Sequence, residues 1–180
     1  FIFLFSPLFI LISIAIILET GFPVIYKNER VGQEDEKFFT LKFRTMYQKF
    51  STGPQFGRQG EEALKTEQEL IATQSIKSGP IYKIKNDPRI TLLGRFLRRS
   101  SLDELPNFFN VLKGEMSLVG PRPHQPREVQ GYKRQHKIVL AIKPGITGLS
   151  QISGRNNLTY EEEINLDTFN LWELNGTENF

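Results

Sequence analysis

The most distinctive hydrophobic pattern of this chain lies at its start, where residues 1–18 form an apolar run without a charged side chain. As a straight helix at about 1.5 Å per residue, this run would cover about 27 Å, close to the roughly 30 Å hydrocarbon core of a bilayer. The run lacks the basic segment and the small-residue cleavage site of a secretory signal peptide. We therefore interpret residues 1–20 as a helix that contacts a membrane.

Ser6 and Pro7 interrupt the first half of this run. Proline has no amide hydrogen and clashes with the carbonyl four residues earlier, so it kinks or breaks a helix. In lipid a carbonyl that loses its partner needs another one, and the Ser6 hydroxyl is a candidate. Two interpretations remain open: a kinked helix that spans the bilayer, and a broken, re-entrant helix that enters one leaflet and returns.

Beyond residue 20, short alternating segments and longer periodic segments predict an α/β fold with several helices and a small sheet. The predicted strands are Val24–Tyr26, Phe38–Met46 and Ile81–Lys85. The predicted helices are Glu61–Ser75, Ile90–Arg99, Pro106–Leu112, Arg127–Lys143 and Glu161–Leu174. The stretch Lys143–Gly148 is rich in turn-forming residues and predicts a loop.

Composition narrows the class of protein without identifying it. The chain has 180 residues, 39% of them hydrophobic and 24% charged, as is typical of a globular domain. The formal net charge of +3 is modest and interspersed with acidic residues, so we predict no nucleic-acid partner. Cysteine is absent, which excludes disulfides and thiolate metal sites.

Two adjacent carboxylates, Asp103 and Glu104, are the strongest candidates for chemistry. Ser101 and Glu104 have the spacing of a helix capping box, which would give the acids a purely structural role. However, Pro106 favours a helix that begins near Leu105, because proline is best tolerated in the first turn. The carboxylates would then lie at a helix N-terminus, where they are held ionised, as a nucleophile or metal ligand requires. Mg²⁺ is the natural cation for such a pair, since adjacent acids repel each other.

Candidate cations lie on both sides of this acidic pair in the sequence. A basic cluster that includes Arg98 precedes it, and Arg122 follows between two prolines that restrict its backbone. Attack of an anion on a phosphorus centre needs such cations to neutralise the developing charge. We predict phosphate contacts for Lys42, Arg98, Arg122 and Arg155, although a solvated arginine in a Pro-rich turn is the alternative for Arg122. His124 and His136 have no metal-binding or triad spacing, and we expect both at the surface.

Several sequence blocks, in one order along nearly the whole chain, resemble the bacterial sugar transferases, also called monotopic phosphoglycosyl transferases. The blocks include Glu29–Gly32, Lys42–Met46, Lys85–Thr91, Gly94–Pro106, Asn110–Pro123, Lys143–Gly148 and Gln151–Asn156. Within the family the chain looks closer to the larger, exopolysaccharide-type members, which carry further segments upstream. It departs from the family pattern at Ser150, where a tryptophan is usual, and in the tail from Thr168 onward.

The resemblance implies transfer of a sugar-1-phosphate from a UDP-sugar to undecaprenyl phosphate, with release of UMP. Asp103 would be the nucleophile and a Mg²⁺ ligand, and Glu104 its acidic partner and a base toward the lipid phosphate. Lys42, Arg98 and Arg122 would bind phosphates. Two alternatives remain: a glycosyltransferase that releases UDP, and an inactive membrane scaffold or regulator that binds phosphorylated ligands.

The resemblance also implies a location. Ser6 and Pro7 would break the family's re-entrant membrane helix, residues 1–20, and residues 21–180 would form the catalytic domain. That domain would face the cytoplasm at the bacterial inner membrane, which the cationic residues Lys27, Arg30 and Lys42 also favour by the positive-inside rule. Because the chain begins without methionine inside an apolar run, we expect its N terminus to be incomplete.

Overall fold

The computed structural model describes residues 2–75, 84–154 and 158–175. Their contacts divide them into two units. The first unit comprises the described residues up to Asn28, together with Thr40–Ser75 and Ile84–Phe108. The second unit comprises Glu29–Phe39 and the described residues from Phe109 onward.

Helices and short strands alternate along the described chain, which confirms the α/β class. The α-helices are α1 (Ile2–Thr20), α2 (Gly57–Gln74), α3 (Leu92–Ser100), α4 (Asn107–Leu112), α5 (Pro126–Gln130), α6 (Leu149–Ile152) and α7 (Tyr160–Asn175). The strands are β1 (Ile25–Val31), β2 (Lys37–Phe43), β3 (Ser117–Val119) and β4 (Gly145–Thr147). Strand β1 pairs with β2, and β3 pairs in parallel with β4. The 3-10 helices span Gln33–Asp35, Gln48–Phe50, Pro54–Phe56, Leu102–Glu104 and Arg134–Ala141.

The core of the first unit forms between α1, β2 and α3. Ile12 and Ile16 from α1, Phe43 from β2 and Leu97 from α3 are buried against one another. Burial of such side chains is worth about 1.5–3 kcal/mol each, so α1 is an integral part of this unit. The core of the second unit contains Val31, Val129, Tyr132, Val139, Leu140 and Ile164.

Helix α1 differs from the prediction at its proline. It continues across Ser6 and Pro7 as one helix, so the predicted break is not seen in the described residues. Among these residues, no helix has both the length and the apolarity needed to cross a bilayer. A re-entrant path for residues 1–20 therefore stays a prediction.

Two other predicted elements were wrong. The predicted helix Arg127–Lys143 is instead the short helix α5 followed by a 3-10 helix, because the chain turns at Gly131 after α5. The predicted loop Lys143–Gly148 contains strand β4, which pairs with β3. Most of the predicted strand Ile81–Lys85 lies outside the described residues.

Candidate active site

Asp103 and Glu104 lie in a single 3-10 turn, Leu102–Glu104, between α3 and α4. Ser101 follows the last residue of helix α3, and its left-handed backbone (φ 59°) lets its amide donate to the carbonyls of Leu97 and Arg98. The Ser101 side chain makes no capping hydrogen bond to the turn, so the capping-box interpretation is wrong. Asp103 is 8% exposed and lies in a short, well-defined turn, as a positioned carboxylate requires.

Lys42 and Glu104 form an ion pair within the first unit. The Lys42 Nζ atom donates to Glu104 Oε1 at 3.0 Å, and both side chains are half-buried. The neighbouring Phe43 is 1% exposed and lies in the core. Because successive side chains of a strand point to opposite faces, Lys42 points away from the face that buries Phe43, and there its ammonium group meets Glu104. The structure therefore brings together two residues that are separated by 62 positions in sequence.

Arg98 is placed by the close approach of α3 to Thr45. A Cβ atom on Gly94 would lie 2.1 Å from the Thr45 carbonyl oxygen, so this approach requires glycine. The Thr91 amide donates to that carbonyl at 3.1 Å, and the Thr91 hydroxyl accepts from the Gly94 amide at 2.8 Å. One turn later, Arg98 Nε donates to Thr45 Oγ1 at 2.8 Å. The arginine is thereby held by the chain that continues directly from β2.

A buried ionic network of Glu67, Asp87 and Arg89 lies in the same unit. Arg89 is 2% exposed and donates to both carboxylate oxygens of Asp87 and to Glu67 Oε2 at 3.0 Å. Burial alone would raise the pKa of Asp87, but the hydrogen bonds from Arg89 and the charge of Arg98 lower it below its usual value. The charges of Asp87 and Arg98 therefore attract each other within this unit.

Arg122 belongs to the second unit and is not a solvated loop residue. Its Nη1 atom donates to Glu163 Oε1 at 3.0 Å, and its backbone amide donates to Asp167 Oδ2 at 3.3 Å. Burial alone would lower the pKa of Arg122, but Glu128 and Glu163 raise it above its ordinary value. The guanidinium stays protonated, and 30% of its side chain remains exposed.

Glycines set the position of the Gly120–Pro123 segment that carries Arg122. The Gly120 amide donates to the Thr147 carbonyl at 2.9 Å, and the Gly145 amide donates to the Pro121 carbonyl at 2.8 Å. A Cβ atom on Gly145 would lie 2.2 Å from the Gly120 nitrogen, so the two backbones pass too closely for a side chain. The short β3–β4 pair therefore anchors the arginine segment directly.

The sequence of the chain matches a known protein family over nearly its whole length. The profile of the bacterial sugar transferases covers residues 1–175. The chain belongs to this family. Its assignment agrees with the resemblance carried by the sequence blocks, because the Lys42, Asp103–Glu104 and Arg122 blocks all fall inside the matched range.

Three relatives illustrate the similarity of this bacterial sugar transferase to curated proteins. It is 42% identical to the undecaprenyl-phosphate galactose phosphotransferase of Salmonella typhimurium over 91% of the chain and 32% of that protein. It is 39% identical to the UDP-glucose:undecaprenyl-phosphate glucose-1-phosphate transferase of Escherichia coli over 84% of the chain and 28% of that protein. It is 40% identical to the exopolysaccharide production protein ExoY of Rhizobium meliloti over 92% of the chain and 69% of that protein. The chain thus spans about a third of the length of the first two.

The predicted site residues of this sugar transferase belong to two different units of the structure. Lys42, Arg98, Asp103 and Glu104 all belong to the first unit, and Lys42 contacts Glu104. Arg122 belongs to the second unit and contacts Glu163. Arg155 lies outside the described residues.

Both histidines were wrongly expected at the surface. His124 is 1% exposed and His136 is 4% exposed. The backbone carbonyl of His124 accepts from the Val31 amide, so the residue lies at a strand pairing, and the ring packs edge-on to Tyr132. His136 Nδ1 lies 2.8 Å from the Tyr160 hydroxyl. Their polar sequence neighbours gave no sign of burial, because the partners come from distant segments.

Sequence reasoning also missed the acids that hold the arginines. Glu67, Glu128, Glu163 and Asp167 are each at most 7% exposed. A charged residue is almost never buried unless it is paired, so their burial marks them as parts of ionic networks. The available signal was weak: Glu163 and Asp167 lie four residues apart on a predicted helix, on the same side.

Proposed function

We propose that this sugar transferase moves a sugar-1-phosphate from a UDP-sugar to undecaprenyl phosphate and releases UMP. The names of the Salmonella and Escherichia relatives support this reaction class, since both include undecaprenyl phosphate and the second also includes UDP-glucose and glucose-1-phosphate. The observation that carries the proposal is the turn Leu102–Glu104, in which buried Asp103 adjoins a glutamate held by Lys42. The lipid-linked product would start the assembly of a membrane glycan or exopolysaccharide.

The proposed reaction has two phosphoryl-transfer steps. A carboxylate oxygen of Asp103 attacks the phosphorus next to the sugar, and the bond from that phosphorus to the UMP oxygen breaks. The sugar-phosphoryl group is then covalently bound to Asp103. In the second step an oxygen of undecaprenyl phosphate attacks the same phosphorus and releases the Asp103 carboxylate. A covalent intermediate of this kind divides one difficult displacement into two easier ones.

Glu104 and Lys42 have complementary roles in this proposal. Glu104 is the base that accepts a proton from the lipid phosphate before that phosphate attacks. An ammonium group has three donors, so Lys42 can bond Glu104 and a phosphate oxygen together. The 3.0 Å contact between them fixes the orientation of both groups before substrate binds.

Mg²⁺ is the cofactor that we propose, and Asp103 is its candidate protein ligand. Within the described ranges, no group of three or more His, Cys, Asp or Glu could form a protein-only metal site. This donor set still suits Mg²⁺, which commonly takes one or two carboxylates and completes its shell with phosphates and water. When bound, the ion would neutralise charge on the diphosphate.

The arginines bind phosphate in this proposal. Arg98 would contact a phosphate of the substrate, and its hydrogen bond to Thr45 would hold the guanidinium in place for that contact. Arg122 would contribute a second phosphate contact through the exposed part of its guanidinium. Arg155 is proposed for the same role from the sequence.

An intact-mass experiment tests the covalent step. The protein is incubated with Mg²⁺ and candidate UDP-sugars without lipid, and we expect a mass increase equal to one sugar phosphate. The Asp103→Asn variant should show no increase and should lose UMP release by several orders of magnitude. The exposed Asp35→Asn variant is the matched control and should behave like the wild type.

Other outcomes would contradict the proposal. Release of UDP instead of UMP would indicate a glycosyltransferase that cleaves the sugar–phosphate bond. Phosphorylated-ligand binding without any product, unchanged in Asp103→Asn, would indicate a scaffold or regulator.

A further inference from the structure

Helix α7 carries two buried acids on one side. Glu163 is 4% exposed, and Asp167, one turn later, is 0% exposed. Their neighbours behave differently, since Glu161 pairs with Lys133 at the surface and Glu162 accepts hydrogen bonds from Thr159 at the start of the helix. Among the acids of α7 whose burial the structure describes, the buried ones are therefore the two that lie four residues apart.

These two acids contact Arg122 at both ends of the residue. Asp167 Oδ2 accepts from the Arg122 backbone amide, and Glu163 Oε1 accepts from the guanidinium Nη1 atom. The Asp167 contact holds the backbone of Arg122, and the Glu163 contact orients its side chain. Flanking prolines, Pro121 and Pro123, already restrict the backbone.

Stability alone does not require this arrangement. Taking carboxylates out of water is expensive, and an apolar pair of the same volume is often at least as stabilising. Within the described residues, Asp167 Oδ1 is buried without a hydrogen-bond partner, which adds to that cost. An arrangement that is costly for folding and that orients an arginine with 30% of its side chain exposed is suited to holding an anion.

We propose that Glu163 and Asp167 are positioning residues, which hold Arg122 in the orientation that binds the diphosphate of the nucleotide sugar. This inference rests on the proposed function only for the identity of the ligand. The acids act through Arg122 and do not touch the substrate themselves. Loss of either acid should weaken binding of the diphosphate and leave the covalent chemistry at Asp103 intact.

Steady-state kinetics and direct binding of UDP to the full chain test this inference. For Glu163→Ala we expect KM for the UDP-sugar and the dissociation constant of UDP to rise about tenfold, with kcat within about twofold. Glu163→Gln keeps an acceptor oxygen and should show a smaller rise, as should Asp167→Asn. The control Glu161→Ala removes an exposed acid from the same helix turn and should change neither constant.

A double-mutant cycle separates positioning from a general structural role. In an Arg122→Ala background, Glu163→Ala should cause no further loss of UDP affinity, because its effect passes through the arginine. Independent, additive losses would overturn the inference, as would a lowered melting temperature with KM and UDP affinity unchanged. Tighter UDP binding in Glu163→Ala would also overturn it, since the glutamate would then compete with the ligand for Arg122.

Separate measurements test this inference and the proposed reaction. If Glu163→Ala does not fold, the near-isosteric Glu163→Gln and Asp167→Asn variants carry the same measurements. Failure of the covalent adduct at Asp103 would refute the proposed chemistry, whereas UDP affinity would still report on the positioning of Arg122.

Discussion

All arginines of this chain have the same formal charge, but they differ in burial and in the groups that they contact. Arg89 and Arg30 are buried and are paired with carboxylates, whereas Arg98 is exposed. Arg44 is 3% exposed and its Nη2 atom donates to the Thr20 and Gly21 carbonyls at the end of α1. A cation in that position complements the partial negative charge of the helix C-terminus. Individual arginines thus differ in their burial and in the groups that hold them.

Glu128 provides a prediction about pH. Burial alone would raise the pKa of its carboxyl, but His124, Arg122 and Arg30 lower it well below its usual value of 4.5. A carboxyl with a depressed folded-state pKa stabilises the protein above its unfolded-state pKa and loses that contribution as pH falls. We expect the free energy of unfolding to decrease progressively below about pH 4.5.

The variant Glu128→Gln isolates this contribution. It should lower the free energy of unfolding at pH 7 by about 3 kcal/mol, because Arg30 and Arg122 lose a buried charged partner. Its stability should also depend less on pH below 4.5 than that of the wild type. Urea unfolding at several pH values measures both effects, and the exposed Glu69→Gln variant is the control. Parallel pH curves for wild type and Glu128→Gln would contradict the assignment.

At the scale of elements, short segments are placed by backbone contacts between distant parts of the chain. Helix α3 begins against Thr45 and ends at the turn that carries Asp103. Strands β3 and β4 contain three residues each and are held by the glycines of the Gly120–Pro123 and Lys143–Gly148 blocks. In both arrangements, a glycine in the sequence sets the position of a candidate site residue.

Substitution of Gly94 tests whether the close approach of α3 to Thr45 is required. In Gly94→Ala the new methyl group would lie 2.1 Å from the Thr45 carbonyl, so α3 must move away from Thr45. We expect a loss of about 2–3 kcal/mol in the free energy of unfolding, at the upper end of overpacking effects. Activity should fall as well, because Arg98 loses its hydrogen bond to Thr45. Thermal unfolding and UMP release measure the two effects.

Ser100→Ala is the matched control on the same helix. Ser100 is exposed, so its replacement should change stability by less than about 0.5 kcal/mol and leave activity intact. A fully stable and active Gly94→Ala protein would show that the close approach to Thr45 is dispensable.

At the scale of the whole molecule, α1 has both a core-facing side and an exposed apolar side. Ile12 and Ile16 are at most 5% exposed, whereas Leu11 and Leu18 are 64% and 82% exposed. A large exposed apolar patch commonly marks an interaction surface. We propose that this side contacts the bacterial inner membrane and that the catalytic domain lies on its cytoplasmic face.

Substitutions on the two sides of α1 should have different effects. The double variant Leu11→Lys and Leu18→Lys should stay folded but lose most of its recovery with the membrane fraction. Ile16→Lys should instead unfold the first unit, because it buries an unpaired charge in the core. Flotation with liposomes and circular dichroism separate the two outcomes. Unchanged membrane recovery of the double variant would contradict the proposed contact.

Local pattern was sufficient for the elements whose signals lie within a few residues. The bounds of α2, α3, α4 and α7 were predicted to within a few residues, since the hydrophobic periodicity of a helix and its start and stop residues are local signals. Strand β4 and the division of Arg127–Lys143 were missed. Their conformations depend on pairing and core contacts with segments far away in sequence.

The sequence by itself determined the family, the order of its blocks and the residue types available for chemistry at Asp103, Glu104 and Arg122. Tertiary structure decided which charges meet: Lys42 with Glu104, and Arg122 with Glu163. It also decided that both histidines are buried. The physical reason is that a side chain's partners and dielectric surroundings depend on long-range packing. A one-dimensional pattern records the type of each charge but not the group that neutralises it.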